Sequence, residues 1–178
     1  LRLYLSLALC GVKVGFVTER QLENGLIPDA PVICIPVAGH ISDAAFNALR
    51  RYKGHLLTLV RDPLGYDEFG KARSDRLAAD PISYDPDKTG LRELNETLMA
   101  KLISWGVRPH LEALDEKGKP VWGVDWRTAE TADGVVVNLC NYLNTSVRLR
   151  LSREGKAVVA TDVLSGQPVK GLITLKPL

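Results

Sequence analysis

Of the three cysteines and three histidines in the chain, Cys34 and His40 are the pair whose placement admits nucleophilic catalysis. A thiolate attacks when a neighbouring imidazole takes its proton and a third group orients that imidazole. Cys34 lies in the apolar run Val32-Ile33-Cys34-Ile35, just before the turn Pro36-Val37-Ala38-Gly39-His40, where an α/β sheet places its reactive residues. The competing reading is an inert buried thiol beside a histidine that bonds locally ahead of a helix. Neither this turn nor Arg61-Asp62-Pro63 presents a serine or cysteine. No G-x-S-x-G, G-x-C-x-G, G-x-G-x-x-G, Walker A, H-E-x-x-H or C-x-x-C pattern occurs. His55 and His110 stand alone, without a carboxylate or second histidine at ligand spacing, so neither a metal nor a cofactor is expected.

Two further groups suggest carbohydrate chemistry. Asp67-Glu68 are paired carboxylates, but neighbours in a Gly-flanked loop point apart and cannot hold the roughly 5 to 9 Å that glycosidase carboxylates keep across a sugar. They read as a solvated loop. Trp122, Trp126 and Tyr142 offer aromatic faces on which sugar rings could stack. Trp122 and Trp126 are an even number of positions apart and share one face of a regular strand, which a hydrophobic core demands equally. No catalytic or substrate-binding residue is assigned on this basis.

The elements that must carry these residues change character along the chain. From Leu1 to about Arg61, helix and strand signals alternate: an apolar helix over 1–10, strands at Val12–Val17 and Val32–Pro36, a helix over Ser42–Lys53 and a strand at His55–Val60. Thr18-Glu19-Arg20-Gln21 fits a capping box, and Ser42 fits an N-cap with Asp43 in the first turn. The run Val32 to Ile35 does not alternate, so it reads as buried on both faces of a parallel sheet flanked by helices. Residues 62–88 lose all period among Pro63, Gly65, Gly70, Pro81 and Pro86, and a loop of that length is the expected contact region. Leu91, Leu94, Leu98, Leu102 and Trp105 recur at helical spacing and are expected to complete the first domain. Beyond His110 the period becomes two, with turns at Lys117-Gly118, Asp133-Gly134, Asn144-Thr145, Glu154-Gly155 and Ser165-Gly166, which predicts a small antiparallel β-sandwich.

Composition narrows the partners. Charged residues make up 25% and the formal net charge is +2, without runs, so no footprint for nucleic acid or a membrane surface is present. Cys10, Cys34 and Cys140 each sit in an apolar run, as reduced buried thiols do, which favours a cytoplasmic setting. The chain opens on Leu1-Arg2-Leu3 with no methionine and no capping residue, and the expectation is a start partway through an α/β domain.

Several segments carry a family resemblance: Gly11-Val12-Lys13-Val14-Gly15-Phe16-Val17-Thr18-Glu19-Arg20-Gln21-Leu22, Ala30-Pro31-Val32-Ile33-Cys34-Ile35-Pro36 and Ile41-Ser42-Asp43-Ala44-Ala45-Phe46-Asn47-Ala48-Leu49-Arg50-Arg51-Tyr52. This text resembles the trimerisation domain of family 42 glycoside hydrolases of the β-galactosidase type. That domain is similar in fold to class I glutamine amidotransferases, hence flavodoxin-like, but lacks their nucleophile. The stretches Val121 to Arg127, Val137 to Tyr142 and Thr161 to Gly166 resemble the small C-terminal β-domain of the same enzymes.

The resemblance implies an α/β domain over 1–110, with its first strand missing ahead of Leu1, and a β-sandwich domain over 111–178. It also implies a non-catalytic role in oligomerisation, as in a trimer, and in support of an upstream catalytic barrel. No catalytic glutamate of the family maps onto this chain, and the parent need not act on β-galactosides. Two alternatives stay open: a stand-alone hydrolase using Cys34 with His40, and a carbohydrate-binding module using Trp122 with Trp126.

Overall fold

A computed structural model describes residues 1–178. In chain order the elements are helices α1 (Arg2–Ala8) and α2 (Glu19–Glu23), strand β1 (Val32–Ile35), helix α3 (Asp43–Arg51), strands β2 (His55–Thr58) and β3 (Asp80–Pro81), and helix α4 (Leu91–Ser104). There follow β4 (Glu112–Leu114), β5 (Val124–Thr131), β6 (Gly134–Asn141), β7 (Val147–Arg153), β8 (Lys156–Ala157), β9 (Ala160–Thr161), β10 (Pro168–Val169) and β11 (Ile173–Leu175). The chain therefore combines a parallel sheet and helices with several antiparallel sheets. No helix is long and apolar enough to cross a membrane.

Two compact units emerge. One is Gly15–Gly90; the other joins Leu1–Val14 to Leu91–Leu178. In the Gly15–Gly90 unit, β1, β2 and β3 form a parallel sheet in that order, with Val32 opposite His55 and Leu57 opposite Asp80. Ile33 and Ile35 share one core with Leu56 and with Leu22 of α2 and Ala45, Phe46, Ala48 and Leu49 of α3. The capping box at α2 is complete: the Thr18 hydroxyl accepts from Gln21 N, and the Thr18 amide donates to Gln21 Oε1 at 2.8 Å. At α3 the Ser42 hydroxyl accepts from Ala45 N and donates to Glu23 at 2.6 Å, so one residue caps its own helix and ties α2 to it.

Two sequence expectations fail in the first third of the chain. The strand expected over Val12–Val17 does not form: Val12 and Val14 are half-buried, but Phe16, which a period of two would place with them, is exposed, and no ladder partner is present. β1, expected to be buried on both faces, alternates instead. Ile33 and Ile35 are buried against α2 and α3, whereas Val32 and Cys34, on the opposite face, are only half-buried.

In the other unit β7 is central, pairing with β4, β8 and β11, while β5 and β6 form a long hairpin. Its turn centres on Ala132 and Asp133, one residue earlier than expected, with Thr131 opposite Gly134. The core gathers Ala113, Val121, Val124, Trp126, Leu149 and Leu151. α4, expected to complete the α/β domain, belongs to this unit, so a boundary at residue 110 falls inside it. A buried polar knot ties α1 to α4: Asn95 Nδ2 donates to the Ser6 carbonyl at 2.8 Å and to Cys10 Sγ at 3.2 Å. Immediately beyond, Gly11 adopts φ +67° and lies flat against the indole of Trp126. These two bonds hold the helix pair in register, beside a buried Ser6 Oγ that has no partner, and apolar spacing alone does not reveal them.

Candidate functional site

Cys34 lies half-buried in β1, and His40 is exposed in the turn beyond it. Burial pushes the Cys34 thiol from 9.0 to about 11, the wrong direction for a nucleophile, which needs a depressed value. His40 is exposed, and its ring stacks on Tyr66 with centroids 5.2 Å apart. His55 begins β2 on the surface, and His110 is half-buried with Nε2 enclosed and unbonded. No three His, Cys, Asp or Glu side chains converge on one point.

The tryptophan platform is also dissolved. Trp126 is 1% exposed and donates from Nε1 to the Leu111 carbonyl at 2.7 Å, which makes it the centre of the β core. Trp122 is half-buried and precedes β5, separated from it by Gly123 at φ +77°. That left-handed residue interrupts the strand, so an even spacing no longer means a shared face. Tyr142 remains exposed.

The segment with the most deliberate geometry is the one read as a solvated loop. Leu64 N donates to Ala38 O and Tyr66 N to Gly39 O, each at 2.9 Å, so residues 64–66 run along the turn that follows β1. Leu64 holds φ +58°, a left-handed conformation that a non-glycine residue adopts only under constraint, and its side chain is buried. Tyr66 then pairs antiparallel with Ala72, closing a small hairpin. Asp67 nucleates its tip, with Oδ1 accepting from Phe69 N at 3.0 Å and from Lys71 N at 2.8 Å. Asp67 is thus folded into the turn, and Glu68 beside it is exposed.

Arg73 fastens this hairpin to α3. Its guanidinium donates to the Asp43 carboxylate and to the Ile41 carbonyl and lies 4.5 Å over the ring of Phe46. Beside it Arg50 pairs with Asp75 at 2.8 Å. Between α3 and the hairpin is an open groove of about 290 Å³ lined by Asp43, Phe46, Arg50, Asp67, Lys71, Arg73 and Asp75. Three cations face three carboxylates there, so the groove has no net charge for an anion or a metal. Ser74 also lines it, with no histidine among the lining residues. Its prominent feature is Phe69 at the tip, 89% exposed. The sequence marks this stretch as an irregular loop expected to make contacts but singles out neither Arg73 nor Phe69. The available signal was a repeat: Asp67-Glu68-Phe69-Gly70-Lys71 and Asp115-Glu116-Lys117-Gly118-Lys119 share four of five residues.

With this geometry in place, comparison with solved structures yields a fold likeness. The chain superposes on the crystal structure of an apo exo-carrageenase of glycoside hydrolase family 42 from Bacteroides ovatus with a TM-score of 0.66 at 21% identity. The match covers 99% of this chain and 24% of that one, so the chain spans about a quarter of its neighbour's length. At this identity the likeness is one of fold. No family model matches the chain, and no curated protein matches it.

Proposed function

We propose that this chain is a non-catalytic module of a glycoside-hydrolase-like protein, in which it supports a catalytic barrel and mediates oligomerisation. The observation that carries this reading is the continuous fold likeness of 99% of the chain to a 24% portion of an exo-carrageenase of family 42. Within the reading, the parallel sheet with α2 and α3 is the amidotransferase-like part, its successive strands running as they do on one side of a flavodoxin-like switch point. The antiparallel strands are the small β-domain. The protonated Cys34 thiol and the core position of Trp126 favour this reading over the hydrolase and sugar-binding alternatives. So does the fastened hairpin, whose constraint serves presentation of a surface and not turnover. The chemistry belongs to another part of the parent polypeptide, acting on β-galactosides or related glycans.

The test pairs an activity with a mass. Purified chain is incubated with chromogenic β-galactosides and with carrageenan oligosaccharides, and its mass is measured by sedimentation. We expect no hydrolysis above the buffer rate and a mass that is a multiple of 19.5 kDa. Hydrolysis abolished by alkylating Cys34 would replace this reading with the amidotransferase-like hydrolase.

A further inference from the structure

The parallel sheet of the Gly15–Gly90 unit has two edges, and they are built differently. At the β1 side, His55 N donates to Pro31 O at 2.9 Å and Val32 lies opposite His55. This phase turns the backbones of Ile33 and Ile35 toward β2 and those of Val32 and Cys34 away from it. At the β3 side, Ile82 N donates to Thr58 O at 2.8 Å with Pro81 opposite Thr58, so Pro81 faces outward and has no N–H to offer. β3 is also only two residues long, and a short strand carrying proline is how a native sheet closes an edge. β1 has no such guard. Val32-Ile33-Cys34-Ile35 contains no charge or proline, and its register with β2 is unbroken by a bulge. The N–H and C=O groups of Val32 and Cys34 have no partner among residues 1–178, although both residues are half-buried. Gly15 and Val17 likewise make no backbone hydrogen bond, and Val17 packs against the core that holds Ile33 and Ile35.

From this we infer that the open edge of β1 takes one further strand, apolar and parallel to β1, supplied by the parent polypeptide from outside residues 1–178. The proposal rests on the module reading above and deepens it, because it names a contact through which the rest of the parent engages this chain. The groups to be met fix the chemistry of the occupant. Two N–H and two C=O groups stand at alternate positions of a strand, a spacing that another extended backbone matches. A helix does not match it, since its backbone groups point along its own axis and bond one another. The direction follows from β1, β2 and β3, which all run parallel, and sheets of a single sense are favoured. A parallel neighbour is reached only by a crossover and not by a tight turn, so a distant stretch of polypeptide can supply it. A parent in the proportion of the family 42 neighbour, of which this fold matches 24%, has ample polypeptide to do so. The same strand accounts for the run through Val17, which reads as a strand yet meets no ladder.

Amide hydrogen exchange, read at single residues by mass spectrometry, tests this on the 178-residue chain and on the parent polypeptide. In the chain alone, the Val32 and Cys34 amides are expected to exchange roughly 100-fold faster than those of Ile33 and Ile35, which bond to β2. In the parent, all four are expected to be equally slow. Slow exchange at Val32 and Cys34 in the chain alone overturns the inference, because a second copy or a segment of the chain itself then closes the edge. Fast exchange that persists in the parent overturns it too. In that case hydrolysis of glycosides by the parent leaves the module reading standing. A closed edge in a parent that hydrolyses none upholds the added strand and removes the glycosidase.

Discussion

Gly11→Ala is expected to be among the most damaging single-methyl changes available in the unit formed by Leu1–Val14 and Leu91–Leu178. Gly11 has φ +67°, and a Cβ there would overlap Cε2, Cζ2 and Nε1 of the Trp126 indole. Two costs combine. A left-handed backbone costs a residue with a side chain about 1–2 kcal/mol. Forcing a methyl group into a packed core costs about 1–3 kcal/mol, and the indole cannot retreat because Nε1 is held by the Leu111 carbonyl. Together these give about 2–5 kcal/mol, or a urea midpoint lower by about 1–2.5 M at a slope of about 2 kcal/mol per M. Trp105, Trp122 and Trp126 all lie in this unit, so tryptophan emission follows its unfolding alone. A double-mutant cycle separates the terms. In a Trp126→Leu background, whose side chain ends before the overlapped ring atoms, Gly11→Ala should cost only the backbone part. A cost below about 1 kcal/mol in the unaltered chain, or one unchanged by Trp126→Leu, would refute the close-approach argument.

Two other consequences concern the Gly15–Gly90 unit. Arg73→Ala removes charge-assisted bonds to Asp43 and to the Ile41 carbonyl worth about 1.5–3 kcal/mol, so opening of the 66–72 hairpin should rise about 10- to 100-fold; faster tryptic cleavage after Lys71 measures it, and an unchanged rate contradicts the fastening role. Cys34 ionises near 9.0 when solvated but only near 11 in the fold, so both states keep the proton below 9.0, and as pH rises toward 11 the unfolded chain releases it first. This unit should therefore lose up to about 2–3 kcal/mol across that window, and Cys34→Ala should lose that much less; equal losses would show that the thiol is not shielded.

Local signals were legible where a few adjacent residues decide the outcome. The Thr18–Gln21 capping box, the Ser42 cap, the parallel pairing of the runs at Val32 and His55, and the hairpin after Thr131 all follow from side chains that bond within a few positions or alternate against one partner. Where the outcome depends on a distant partner, the same patterns mislead. Val12–Val17 reads as a strand but meets no ladder, and α4 reads as an ordinary amphipathic helix, although the Asn95 bonds that tie it to α1 span 89 and 85 positions. Trp122 and Trp126 show how one left-handed glycine cancels a spacing argument. The candidate site was half legible. Loss of period marked 62–88 as irregular, but Arg73 gains its role from Asp43, 30 positions away, and Phe69 stands out only once its turn is laid beside the one at 115–119.

The claim that this chain is an assembling module is tested most directly by its absolute mass in solution. Light scattering across a concentration series should give a multiple of 19.5 kDa that falls toward the single-chain value on dilution. A mass of 19.5 kDa at every concentration would contradict it.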